Sequence, residues 1–479
     1  MTGSKANITG AVVAGLAGLV LAVFGADIAA LAIVGGLLAW WMSASPMALL
    51  GAYAAIIFSN AAEIATDRYG LPPIGMATLL VLLLMLVVRT AGRQEDISNA
   101  ARLAPAAATY LIVSAFCVFW VQDLGASVDR LLALAKNLLI VLVFVAYVTS
   151  MHRFRTIVSA ISLTVVVIAA LSVFQYMTKT FELSYFGLAS ASIKQIVGST
   201  DSWRIAGPLG DANFFGQMLI VGLPMTGAIA LAPGRLAVKL LAGGGFFVIL
   251  VAIFLTFSRG TLLAVLVVGL AFLMTLRHRL AYAGVITLVF VVALAASPAL
   301  YLERLFQVEQ AVSAIVKGGQ WIADPALAQR LSVLSAAVDM FWAHPLLGIG
   351  LGQFPVEYGD YALQNGLDLG APNQAHSVYL GTLAEEGVLG FAMLLGVMGF
   401  AFATCSVARR QLVEYGSRRD ALFLFAVQLA FVGYLTTAFF LHNDYSRYFW
   451  ILVALLLSTS SAVRNAQETT ASTPNLFRR

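Results

Sequence analysis

Long apolar runs separated by short polar breaks decide what this chain can become. They fall roughly at 9–25, 27–43, 46–62, 74–91, 105–121, 131–149, 156–176, 212–232, 239–257, 260–277, 280–299, 378–406, 421–440 and 446–463. Most approach the ~20 residues that an α-helix needs to cross a hydrocarbon core of about 30 Å. Inside lipid every backbone polar group must be satisfied internally, which leaves helices or closed barrels. The runs are continuous rather than alternating, so helices are expected. Charged residues make up only 11% of the chain and apolar ones 61%. A soluble domain carries about 25% charge, so a water-facing surface of this size cannot be covered. The fold class expected is an all-α polytopic membrane protein with about 12–14 transmembrane helices. The first three runs are short enough to merge into fewer, tilted spans.

Basic residues alternate from one connection to the next. Arg93 and Arg102, Arg153 and Arg155, Arg235 and Lys239, Arg277 and Arg279, and Arg409, Arg410, Arg418 and Arg419 occupy one set, with Arg464, Arg478 and Arg479 in the tail. The positive-inside rule puts this set in the cytoplasm. The other set is poorer in bases and holds Glu63, Asp67, Asp123 and Asp129. Both termini are therefore expected inside the cell. The net charge of +5 follows from this clustering and is no sign of nucleic-acid binding. Cys117 and Cys405 lie far apart in apolar runs, which argues against a disulfide framework. No small-residue cleavage site follows MTGSKANITG, so the first run is expected to be a retained helix. Residues 1–463 are expected to form one membrane domain, and 464–479, with NAQETTASTPNLFRR, a disordered cytoplasmic tail.

Two outer connections are long, about 177–211 and 300–377. The second is expected to be ordered and partly helical over QRLSVLSAAVDMFWAHP. Polar residues that apolar patterning does not explain fall on this side: Arg204, Arg259, Arg330 and His376. Arg259 sits in a minimal turn between two apolar runs, where an unpaired charge is costly and a functional role is the default. An arginine near a helix end can also simply snorkel to the headgroups, and a histidine at a helix start can be structural. Together, however, the guanidinium forks suit the paired oxygens of a pyrophosphate, and an imidazole can take a proton from a hydroxyl. The set points to transfer from a pyrophosphate-bearing donor to an acceptor hydroxyl. No DxD-like acidic pair lies on that side, so neither a metal nor another cofactor is expected. Glu385 and Glu386 lie in the run after His376. A rise of about 1.5 Å per residue puts Glu385 about 14 Å along the helix and on its opposite face. A direct contact with His376 is therefore not expected; one of the glutamates is expected to pair with an arginine of another helix. His442, Asn443, Asp444 and Arg447 form a compact turn, read as solvated rather than as support for a site. PLLGIGLGQF is no dinucleotide motif, and its glycines suit close backbone packing or a tight turn.

These motifs, in their order, resemble the O-antigen ligase and polymerase superfamily. HSVYLGTLAEEGVLG is similar to its His-x-x-x-Leu-x-x-x-x-Glu-x-Gly-x-x-Gly signature through His376, Leu380, Glu385, Gly387 and Gly390. HPLLGIGLGQF resembles the glycine-rich stretch that precedes it. TFSRGTLL, with Ser258 and Arg259, resembles the Ser-Arg-Gly turn, and RIAGPLGDANFFG, with Arg204 and Asn213, the Arg-x-x-Gly and Asn-x-x-Gly segment. The resemblance covers about 200–390. It implies a GT-C-like enzyme in the bacterial inner membrane, working at the periplasmic face with an undecaprenyl-pyrophosphate-linked glycan as donor. The acceptor implied is another glycan or lipid A–core, with polysaccharide-assembly proteins as possible partners. It also implies His376 as the base, Arg204, Arg259 and Arg330 on the pyrophosphate, and Glu385, Asn213 and Ser258 in support. Ser377 and Glu386 depart from the commoner Asn and Leu and leave the acceptor open. Two other classes remain: a transporter or flippase for an anionic or lipid-linked solute, and a non-catalytic subunit of an export complex.

Overall fold

The computed structural model describes residues 45–92, 97–193, 203–274, 325–364, 374–442 and 446–471, with side chains of 193, 325–331, 364 and 466–471 excepted. Fourteen α-helices occur among them. They are α1 Pro46–Phe58, α2 Ala61–Tyr69, α3 Ile74–Ala91, α4 Ser98–Phe116, α5 Leu124–Tyr147, α6 Met151–Met177, α7 Ala212–Leu231, α8 Leu236–Leu255, α9 Arg259–Leu273, α10 Pro325–Ala343, α11 Phe354–Gln364, α12 Val378–Glu414, α13 Arg418–Thr437 and α14 Ser446–Ala471. Eight are long and apolar enough to cross a membrane, and the bent pair α1–α2 makes a possible ninth. The all-α polytopic reading holds. The helices expected at 9–25, 27–43 and 280–299 lie outside the described residues.

Local chemistry starts these helices where the runs begin. Asp123, Ser150, Asp211 and Ser377 stand at N-caps, and each side chain accepts from a backbone N–H of the first turn. Asp211 takes two, from Asn213 at 2.7 Å and Phe214 at 3.1 Å. Helices α7, α13 and α14 form the centre of the bundle. Of the α14 span 83% is buried against protein, but of the α3 span only 17%. Leu84, Val87, Leu241 and Phe247 are each more than half exposed, which lipid tolerates and water does not. At the basic end the arginines are tied in: Arg155 pairs with Asp420, and Arg464 donates to Asn99.

The structure departs from the expected elements at three places. The run at 46–62 is not one helix. It bends by 63° at Ser59–Asn60, where Asn60 adopts φ +56° and binds distant groups described below. Helix α12 contains a break at Gly387, with φ +63° and ψ −163°. Finally, α14 continues through Ala471, well into the expected tail. Arg464 and Asn465 anchor that extension, Asn465 donating to the Thr149 carbonyl at 2.9 Å, and Gln, Glu and Ala sustain it. Residues 472–479 lie outside the described residues. A short antiparallel hairpin, β1 Ala191–Ile193 with β2 Trp203–Ile205, puts Ser192 opposite Arg204.

Candidate active site

The break in α12 explains the glycine-rich stretch. In an unbroken helix the N–H groups of Val388 and Leu389 would donate to the carbonyls of Ala384 and Glu385. Here they donate instead to Pro345 and Leu346, at 2.9 and 3.2 Å. The freed carbonyls of Ala384 and Glu385 accept from Ile349 and Gly350, at 2.9 and 3.0 Å. Segment 345–350 therefore fills the gap in the helix and satisfies both sides of it. Such closeness needs glycine: a Cβ on Gly348 would lie 2.3 Å from the Glu385 carbonyl carbon. The stretch is also pinned to the α4–α5 turn. The Gln353 amide accepts from the backbone of Gln122 and Asp123 and donates to the Asp123 carbonyl and the Ser127 hydroxyl, all within 3.1 Å. The expectation of close backbone packing by these glycines is met.

At the same end of the bundle, His376 precedes α12 in a left-handed conformation, φ +47°, which is uncommon for a residue with a side chain. Ser377 then caps the helix, and the Val378 N–H donates to the Ala438 carbonyl at 3.0 Å. The His376 and His442 rings are 5.5 Å apart, and His442 meets Phe214 edge-on at 5.0 Å. Asn213, next to Phe214, accepts from Arg204 at 3.2 Å. Arg204 is buried and also donates through Nε to the Thr256 carbonyl at 2.7 Å. Thr256 leads into Ser258 and Arg259 at the start of α9, where the Thr261 hydroxyl donates to Ser258 Oγ at 3.1 Å. Gly260 packs on Phe440, since a Cβ there would come within 2.9 Å of the ring.

Thus His376, Arg204, Asn213, Ser258 and Arg259 surround one connection, Ala438–His442, although far apart in sequence. Arg330 belongs to α10, which packs on α12; its side chain lies outside the described residues. Glu385 stands apart from His376. Its carboxyl accepts from the Phe354 N–H at 3.1 Å and lies within electrostatic reach of Arg130 of α5. Glu386 accepts from the Ser114 hydroxyl at 2.7 Å.

Two features escaped the sequence. His442 and Arg447 are not a solvated turn. Arg447 donates to Asn60 and pairs with Glu63, both at 2.6 Å, and Asn60 donates to the Pro208 carbonyl at 3.0 Å. The turn thereby joins the α1–α2 bend to the segment after β2. The second is an open cleft bounded by α4, α5, α12, α13 and α14. Gln374, Ser377 and His442 line it near His376, and Arg130 is its cation. Arg204 and Arg259 are not in its wall. A base at the otherwise base-poor end of the bundle, two turns into its helix, is the sequence signal that could have marked Arg130. Among the described residues no three His, Cys, Asp or Glu side chains gather closely enough to hold a metal ion.

Residues 244–395 match the family model described as O-antigen ligase. The match spans about a third of the chain, which thus carries a segment similar to O-antigen ligases. The matched segment contains Ser258, Arg259, Arg330, His376 and Glu385, together with the α12 break; Arg204 and Asn213 precede it. A comparison with curated proteins finds no match. That segment and the eight candidate spans describe a multi-pass membrane protein with an O-antigen-ligase-like segment.

Proposed function

We propose that this protein is a metal-independent, inverting glycosyltransferase of the bacterial inner membrane. It moves a glycan from undecaprenyl pyrophosphate to an acceptor hydroxyl on the periplasmic side. The observation that carries the reading is the gathering of His376 and Arg259 around the Ala438–His442 connection, at the end of the bundle where α7, α9 and α12 all begin. Helix N-termini present free N–H groups and partial positive charge, which suits an anion.

In this scheme His376 removes the acceptor proton as the hydroxyl oxygen attacks the anomeric carbon. The bond from that carbon to the pyrophosphate oxygen breaks, and the charge that develops there falls to Arg259 and Arg330. Arg204, already engaged with Thr256 and Asn213, holds the Ser258–Arg259 turn in place. Glu385 positions the loop rather than the reacting atoms. The acceptor is another lipid-linked repeat unit or lipid A–core, and polysaccharide-assembly proteins are the natural partners.

Transport of an anionic lipid would draw on broken helices with open backbone groups. Here the α12 break is filled by segment 345–350 and the α1–α2 bend by Arg447 and Pro208, which favours an enzyme. The test is His376→Ala and Arg259→Ala in a deletion strain. Loss of surface glycan with normal amounts of protein in the membrane supports the reading; unchanged glycan length and quantity in both variants would overturn it. In the deletion strain, accumulated single repeats identify a polymerase, and full-length lipid-linked polymer identifies a ligase.

A further inference from the structure

The cleft between α4, α5, α12, α13 and α14 has a chemistry unlike that of the arginine cluster. Its one guanidinium, Arg130, shares the wall with the carboxyl groups of Glu385 and Glu386. Two carboxyl groups are poor company for a pyrophosphate. They suit hydroxyls, which donate to carboxyl oxygen and accept from guanidinium N–H. The wall also holds the amide of Asn137 and the rings of Tyr110 and Trp450, whose centroids lie 6.0 Å apart.

Two groups in that wall point to a ligand. Tyr110 and Tyr434 are 5% and 3% exposed and both line the cleft. Among the described residues neither hydroxyl is hydrogen-bonded, and neither is sealed off as a buried orphan, so both are open to the cleft and to a partner within it. A ligand with several hydroxyls supplies what both lack. Apolar rings with a few convergent polar groups are the usual make-up of a small-ligand site.

We infer that this cleft is the seat of the acceptor sugar, with Tyr110 and Tyr434 donating to or accepting from its hydroxyls and Trp450 offering a ring face. The inference rests on the glycosyltransferase reading and adds to it a subsite separate from the arginines. Gln374, Ser377 and His442 line the cleft beside His376, while Arg204 and Arg259 do not line it, so a sugar seated there lies next to the proposed base and apart from those arginines.

The test uses the full-length protein in nanodiscs. The donor is the undecaprenyl-pyrophosphate-linked glycan of the host, and the acceptor is whichever of the lipid-linked repeat unit and lipid A–core the unaltered protein uses. Initial rates are measured against each substrate with the other saturating. Tyr110→Phe keeps the ring and removes only the hydroxyl; it raises the acceptor KM by about fivefold, with donor KM and kcat within about twofold. Ala133→Leu, which fills the cleft from the α5 wall, gives the same pattern. Thermal unfolding of each variant separates this from misfolding. An unchanged acceptor KM in both variants, or a rise confined to donor KM, overturns the inference and leaves the enzyme reading standing. Absence of transfer by the unaltered protein with either acceptor overturns both.

Discussion

Gly387 and Leu346 meet backbone to backbone: a Cβ on the glycine would lie 2.5 Å from the carbonyl carbon of the leucine. Contact this close, across 41 residues of chain, leaves no room for a side chain. The φ and ψ of Gly387 also fall in a region that is essentially restricted to glycine. Gly387→Ala therefore costs about 1–3 kcal/mol from backbone strain alone, and more if the loop is displaced. Gly396→Ala, lower in the same helix with nothing within 4 Å of the new Cβ, is neutral or stabilises by up to about 1 kcal/mol. Thermal unfolding in detergent compares the two, and equal midpoints would show that the break is not a constrained junction.

Gln353 is fully buried, and its amide makes four hydrogen bonds to the α4–α5 turn. Gln353→Ala removes them together and costs about 1–3 kcal/mol. Limited proteolysis between Pro345 and Phe354 is then faster than in the unaltered protein. Gln353→Glu keeps the acceptor oxygen and loses both donor hydrogens, so its midpoint falls in between.

Arg204 uses two faces of its guanidinium, one for the Thr256 carbonyl and one for Asn213. Lysine keeps the charge but cannot span both. Arg204→Lys is expected to lower stability by about 1–3 kcal/mol and to reduce transfer. Charge alone being sufficient would show as full transfer and an unaltered unfolding midpoint.

Glu357 of α11 lies outside the spans. Burial, and then the like charge of Asp360, raise its pKa above the ordinary carboxylate value of 4.5. Ionisation is thus harder in the folded loop than in the unfolded chain. Its contribution is fully present below the ordinary value and is lost as pH rises through the raised one. Protection of α11 from proteolysis should fall as pH rises above the ordinary carboxylate value of 4.5. Glu357→Gln should flatten that dependence; an identical slope in the variant assigns it to another group.

Helix placement was legible because lipid punishes any other reading of a long apolar run. The segments expected to open at Ile74, Ala212, Val378 and Ser446 do open there. The two breaks were not legible. TLAEEGVLGFAM reads as one helix, because what splits it is a loop some forty residues upstream. Asn60 gave no local sign that Arg447 and Pro208 would hold it. The separation of Glu385 from His376 followed from helical geometry alone, whereas the cleft, built from five helices, left Arg130 as its only mark in the sequence. The solvated reading failed for His442 and Arg447, with Asn443 and Asp444 outside the described residues, because polarity shows that a residue wants partners without showing which ones.

The exchange of hydrogen bonds between 345–350 and the gap in α12 fixes a register, as strand pairing does. A single residue inserted on either side, within Pro345–Gly350 or Ala384–Leu389, would misalign all four bonds at once and turn the helix that begins beside His376. Changes of length are therefore tolerated only in segments away from the junction, and the loop and the first turns of α12 must change together or not at all.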